Sequence, residues 1–265
     1  MFDYHKLKEI ALQRLFFLFL LHQAPFPMKI IVLLPFLIFL NFSCYSQDKG
    51  CIGLAIGVST PVGDYASKDV SNYFREEATQ GWAFNVLFTY MPEKNFGICA
   101  SLFFQEHRVD DKATEDQWNK RDPSYRYSLD ADSWSQQGFV GGPKVVFNLF
   151  KELLYLEAKA NIGFLRATSP RFTVSIQDLS YFGPGSSAKQ IQESGSGIGF
   201  CYILGTGLKY NISNKWCFLL NADYLSSKVD IQNIPVSYSY QRSSTYSFEG
   251  DFQTINITLG IGRRF

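Results

Sequence analysis

From Cys51 to the final Phe265 the chain alternates apolar with small or polar residues in eight separate segments. The first is the plainest: Ile52, Leu54, Ile56 and Val58 take turns with Gly53, Ala55, Gly57 and Ser59. A period of two is the repeat of a β-strand whose two faces differ, and an amphipathic helix cannot produce it. The connections between segments add a second constraint. They run long, short, long, short, long, short, long, so that neighbouring strands form hairpins tight at one end and open at the other.

The second segment sets Trp82, Phe84, Val86, Phe88 and Tyr90 against Ala83, Asn85 and Thr89. Met91-Pro92-Glu93-Lys94-Asn95 reads as a tight turn, since proline and asparagine suit turn geometry. Phe96, Ile98, Ala100, Leu102 and Phe104 form the apolar row of the third segment, and Phe139, Val145, Phe147 and Leu149 that of the fourth. The fifth carries Leu154, Leu156, Ala158, Ala160, Ile162 and Phe164; the sixth Ile198, Phe200, Tyr202, Leu204, Leu208 and Tyr210. Trp216, Phe218, Leu220, Ala222 and Tyr224 mark the seventh, and Ile255, Ile257, Leu259 and Ile261 the last. Long polar connections are expected up to about Gln80, from Glu106 to Gln137, from Ala167 to Gly197, and before the closing strand. In the last of these, Val236-Ser237-Tyr238-Ser239-Tyr240 is expected to prolong a strand and offer a free sheet edge for β-augmentation.

Polarity of the second face separates a soluble barrel from a membrane one. A soluble barrel keeps its apolar row inside. Here the opposite face holds Gly, Ala, Ser, Asn and a few charges, among them Glu157, Lys159 and Asn161 on one strand. Those residues make a poor hydrocarbon core and a reasonable polar lumen, so the apolar rows are expected to meet lipid. The fold class is therefore all-β: an eight-stranded antiparallel up-and-down transmembrane β-barrel over residues 47–265. An aromatic share of 17% agrees with rings gathered at two membrane interfaces. A net charge of +1 gives no basic field for nucleic acid.

The N-terminus stands apart. Met28-Lys29 opens an apolar stretch from Ile30 to Leu40, followed by small residues that place Cys44 and Ser46 at −3 and −1 of a cleavage site. This is the form of a secretory signal over residues 28–46, with residues 1–27 an upstream extension ahead of the true start at Met28. An anchor beginning near Leu15 is the alternative, opposed by Pro25, Pro27 and Pro35, which cut the apolar sequence below the length of a spanning helix. Lipidation of Cys44 is a third reading. Beyond the signal remain Cys51, Cys99, Cys201 and Cys217, with neither CxxC spacing nor a zinc pattern. Each lies on the face opposite the apolar row and reads as a small packed thiol. Export would allow disulfides without saying which.

On these residues the chain resembles the small outer-membrane β-barrel proteins of Gram-negative bacteria, both the OmpA- and OmpX-like eight-stranded barrels and the Bacteroidetes-type, PorT-like ones. The likeness is carried by Gly53-Leu54-Ala55-Ile56-Gly57-Val58, by Tyr90-Met91-Pro92 leading to Asn95-Phe96-Gly97-Ile98, by Gly205-Thr206-Gly207-Leu208-Lys209-Tyr210, and by the end Gly260-Ile261-Gly262-Arg263-Arg264-Phe265. The resemblance implies a cell outer-membrane location reached through a Sec-type signal, both termini periplasmic, and a last strand ending at Phe265 that the barrel-assembly machinery recognises. It implies outer-membrane lipid and lipopolysaccharide as surroundings. Arg263 departs from an all-apolar outward row and is expected to snorkel to head groups.

Little here reads as chemistry. His107 is expected in a loop above the third strand, beside Asp110 and Asp111. Some eight-stranded barrels are lipid A-modifying enzymes with a His/Ser set near the outer rim, but no serine follows His107 at that spacing, and a solvated loop histidine is the plainer reading. The carboxylates between Glu106 and Asp132 lack the spacing of a calcium loop. Lys112, Lys120 and Arg121 fit lipopolysaccharide phosphates only unspecifically. Lys144, Glu157, Lys159, Lys209 and Asp223 face inward by parity and are expected to pair and close the bore. No catalytic, cofactor-binding or metal residue is named. The expectation is a monomeric, non-enzymatic barrel with a structural or surface-interaction role through four extracellular loops, meeting an extracellular protein or surface ligand and no nucleic acid. A small pore or carrier for hydrophobic molecules, or a lipid A-modifying enzyme, are the alternatives.

Overall fold

The computed structural model describes residues 49–66, 78–178, 187–239 and 243–265. The expected extension, signal and lipidation site over residues 1–46 lie outside these. The strands are β1 (Gly50–Pro61), β2 (Ala78–Tyr90), β3 (Phe96–Val109), β4 (Tyr125–Ala131), β5 (Trp134–Phe150), β6 (Leu154–Thr168), β7 (Phe172–Asp178), β8 (Ser187–Gln192), β9 (Ser196–Asn211), β10 (Trp216–Tyr238) and β11 (Ser244–Arg264). A 3-10 turn, Gly63–Ala66, follows β1, and one helix, α1 (Asp111–Arg121), precedes β4.

Eight of these strands close a ring in the order β1, β2, β3, β5, β6, β9, β10, β11. Every pairing is antiparallel, and β11 returns to β1 with Leu54 opposite Ile261 and Val58 opposite Ile257. Strand termini and the turns at 91–95, 151–153 and 212–215 share one end, called the turn end here; the long connections share the other. The alternation read from the sequence holds around the ring. Ile56, Phe164 and Leu259 are more than 60% exposed, whereas Cys51, Asn85, Asn161, Cys201 and Thr258 are buried. So broad an apolar exterior is unusual for a protein in water and normal for one in hydrocarbon. Tyr90, Phe96, Tyr210 and Trp216 gather near the turn end of the belt, as rings do at a bilayer interface.

The strands outrun that belt. On β10 the outward row is apolar from Trp216 to Tyr224, then becomes Ser226, Lys228 and Asp230. On β11, Ile255 gives way to Gln253, Asp251 and Glu249 in the same direction. About 10 residues cross a bilayer, so β10 with 23 residues and β11 with 21 continue as a ribbon beyond it. There Lys228 lies within 3.6 Å of Glu249 and 3.5 Å of Asp251.

Three long connections differ from the loops expected. The 106–137 stretch carries the end of β3, then α1, β4 and the start of β5; the 167–197 stretch carries β7 and β8. These elements extend the ribbon sideways in the order β10, β8, β7, β4. The Tyr- and Ser-rich connection is largely strand, up to Tyr238 and again from Ser244. Val236 to Tyr238 does prolong a strand, but its edge is not free. Val236 pairs Ser244 of β11 on one side and Gln192 of β8 on the other. Alternation in one strand tells which way its side chains face and nothing about which backbone lies alongside.

Candidate functional site

The lumen is filled in two layers. Near the turn end Lys144 on β5 pairs with Glu157 on β6 at 2.5 Å. Lys159 on β6 pairs with Asp223 on β10 at 2.8 Å, across β9. Gly205 is the β9 residue in register with both Lys159 and Asp223. A Cβ there would stand 2.0 Å from the Asp223 carboxylate, so only glycine leaves the pair its path. Lys144 also donates to Thr89 Oγ1 at 3.2 Å, and the Cys99 thiol donates to Asn161 Oδ1 at 3.1 Å. Buried charges persist when paired and hydrogen-bonded, and here they fill the bore. The fifth inward charge, Lys209, is half-buried and lies 5.2 Å over the Tyr155 ring instead. Between these groups remains a cavity of about 20 Å³ bordered by Cys51, Cys99, Lys144, Glu157, Lys159 and Asn221. It is roughly the room of one water molecule.

Towards the loop end the lumen is hydrophobic, contrary to the uniformly polar interior expected. Phe103, Val140, Leu165, Leu225, Val229, Ile231, Ile234 and Phe252 form one buried cluster. Tyr65 joins it from the 3-10 turn, edge-on to Trp134 at 6.0 Å and to Phe252 at 5.1 Å. The signal was present in the sequence as doubled apolar pairs, Phe103-Phe104 and Phe164-Leu165, which put a large side chain on each face. Period-two reading follows the stronger row and passes over the other.

His107 is not a loop residue. It sits in β3, faces the lumen and is fully enclosed. Its Nε2 lies 2.8 Å from Ser59 Oγ on β1, and its Nδ1 lies 3.2 Å from the Tyr65 hydroxyl. Ser59 Oγ and Thr254 Oγ1 both lie 3.2 Å from Gln105 Oε1. Ser59 has one hydroxyl proton and both Gln105 Oε1 and His107 Nε2 within reach of it, so the tautomer of the imidazole decides which of them takes it. Burial pushes the Tyr65 phenol up, which keeps it protonated. A base activating Ser59 needs Nε2 unprotonated and accepting from that hydroxyl. The fold thus brings a serine to His107 that spacing along the chain could not reveal, since Ser59 and His107 are 48 residues apart.

The acidic connection is also put to structural use. Asp110 caps α1 by accepting from Ala113 N at 3.0 Å. Glu115 accepts from Leu129 N at 2.6 Å, and Asn119 both accepts from Tyr127 N at 2.8 Å and donates to Tyr127 O at 3.3 Å. Burial raises the pKa of Asp111, while a hydrogen bond from the Ala131 backbone opposes that. Asp111, Glu115 and Asn119 recur every four residues on one helix face, and Ala131, Leu129 and Tyr127 every two on the strand. The helix side chains thereby replace the missing strand beside β4. Trp118, Leu129, Phe172 and Val174 form a small core beneath them. Lys112 and Lys120 are exposed on α1. Among the described residues no group of three His, Cys, Asp or Glu side chains is placed to hold a metal ion.

No protein-family model matches the chain, and no curated protein matches it. Solved structures do. The chain is similar to Ail, the attachment invasion locus protein of Yersinia pestis, at 16% identity and a TM-score of 0.44, covering 83% of this chain and 100% of that one. It is similar to the outer membrane protein AlkL at 12% identity and a TM-score of 0.43, covering 84% and 92%. Similarity to the outer membrane protein OprG from Pseudomonas aeruginosa is 14% in identity, with a TM-score of 0.40 and coverage of 83% and 98%. The likeness to these small outer-membrane barrels is one of fold, and the eight-strand ring with its apolar belt stands on this chain's own register and exposure.

Proposed function

We propose that this chain is a non-enzymatic outer-membrane β-barrel whose work is done by the sheet standing beyond the membrane, where it meets an extracellular protein or surface ligand. The observation that carries this is the contrast between the two ends of β10. Inside the belt ion pairs below and a hydrophobic cluster above occupy the lumen, which argues against conduction. Outside it the same strand continues to support β8, β7 and β4 with a helix and a second core. A barrel serving only as a membrane brace has no need of that second structure, and a pore has no use for that plug.

The outer sheet turns one face to α1 and leaves the other open. On β4, Arg126, Ser128 and Asp130 are exposed; on β7, Ser175 and Gln177. A polar sheet face of this kind suits a hydrated partner better than lipid. Export by the signal at residues 28–46, with the turn end periplasmic and the sheet extracellular, belongs to the same reading, as does recognition by the assembly machinery through the strand ending at Phe265. The test has two readouts. Purified protein in planar bilayers is expected to show no steady conductance. Protease added to intact cells is expected to reach exposed segments of the outer sheet while the ring stays protected in the membrane. Steady open currents, or complete protection of the outer sheet in intact cells, would overturn the proposal.

A further inference from the structure

At the turn end the Cys51 thiol on β1 and the Cys217 thiol on β10 face each other across β11, with their sulfurs 3.8 Å apart. These strands are not neighbours in the ring; β11 runs between them. The thiols meet because the intervening residue is Gly262, the β11 partner of Cys217. A Cβ there would stand 2.8 Å from one sulfur and 2.9 Å from the other. The same device, a glycine on the middle strand, lets Lys159 reach Asp223 across β9. Cys99 and Cys201 have other surroundings: the first donates to Asn161, and the second is packed in the hydrophobic cluster.

We infer that Cys51 and Cys217 form a disulfide in an oxidising compartment, a covalent staple over the strand that closes the barrel. The inference rests on the export reading only for where oxidation occurs. The sulfurs must approach by about 1.8 Å to reach bonding distance, and because β11 stands between their strands the backbone at both cysteines must close in with them. Both cysteines are second residues of their strands, Cys51 opposite Arg264 at the end of β11 and Cys217 beside a short turn, where paired backbone gives most easily. The oxidant is a protein or small-molecule disulfide. One of the two thiolates attacks it, forms a mixed disulfide and expels one thiolate. The other thiolate then attacks the sulfur of that mixed disulfide, forming the Cys51–Cys217 bond and releasing the second thiolate. Two electrons pass to the oxidant, whose released thiolates take up the two protons. The product joins the neighbours on either side of β11 and holds β1 close to β10 at the turn end.

The test starts with full-length mature protein refolded in detergent and exposed to oxidised glutathione, then denatured with an alkylating reagent present. A faster-migrating band on a non-reducing gel is expected, lost with reductant and in C51S and C217S, and retained in a C99S/C201S double variant. Peptide mapping should find Cys51 joined to Cys217. Four alkylated thiols in the folded, oxidised protein, or a bond mapped to another pair, would overturn the inference. C51S and C217S are checked for folding by the gel shift that folded barrels show before boiling. In a parallel arm, cells are lysed into alkylating reagent and fractionated. Outer-membrane protein carrying the bond supports the inference, and outer-membrane protein with both thiols reduced overturns it. Recovery outside the outer membrane overturns the export reading instead, and the purified arm still decides the pair.

Discussion

Single residues hold the lumen shut. Lys144 and Glu157 are both buried, and removing one leaves the other charged and alone. We expect K144M to cost about 3–5 kcal/mol in urea unfolding of the refolded barrel, and a K144M/E157L double variant to recover most of that loss, because an apolar pair is as good as an ion pair in such a site. The Lys159–Asp223 pair depends on an atom that is absent. G205A should press the pair apart and lower stability by a similar ~3–5 kcal/mol, with D223L/K159M in the same background restoring it. If G205A unfolds like the parent, the glycine has no part in the pairing. The hydrogen-bonded chain of Tyr65, His107, Ser59, Gln105 and Thr254 differs in kind, since it contains no ion pair. Parity along the strands placed the lumen charges correctly. It could not pair them, because the register between two strands is not written in either one.

At the scale of elements, α1 is the unexpected part. Eleven residues make a marginal helix in water, and this one is held by Trp118 in the small core and by the side chains that cap β4. Edge strands invite pairing with other chains, and Asn119, Glu115 and Asp111 occupy that edge. N119A is expected to leave the ring intact while amide exchange at 125–131 rises by ~5- to 30-fold, the effect of losing about 1–2 kcal/mol of local hydrogen bonding. Hydrogen-exchange mass spectrometry of that peptide measures it; unchanged protection would show that the helix does not cap the strand. The ribbon itself bends at a bulge in β10, where the pairing slips between Ile231 and Ile234 and Asn233 takes a φ of +58°. That slip keeps both isoleucines buried although they are three residues apart. The alternation of Phe172, Val174 and Ile176 was visible in the sequence. It is only seven residues long, and a short alternating run bounded by polar residues is read as loop unless its partner strand is known.

For the whole molecule, ring and outer sheet are separable in their physics. The ring is fastened by continuous ladders and a lipid belt, the sheet by its own small core and the upper end of β10. Replacing residues 110–133 by a short polar loop is expected to leave a barrel that still migrates anomalously before heating, with the amide-exchange protection of β7 and β8 lost. A variant that no longer folds would show that the ring needs the sheet. What the amino-acid order determined alone is the strand class, the face each strand turns outward and the three tight turns, because these are local and follow from side-chain period and turn chemistry. It also determined that the greasy rows belong in hydrocarbon, since the opposing face near the turn end is too polar for a core. Only the tertiary structure decided that the loop end of the lumen is hydrophobic, that His107 meets Ser59, that β8 occupies the edge of β10, and that two thiols meet over Gly262. Each of these joins residues distant along the chain, and such meetings are set by how the strands register when the ring closes.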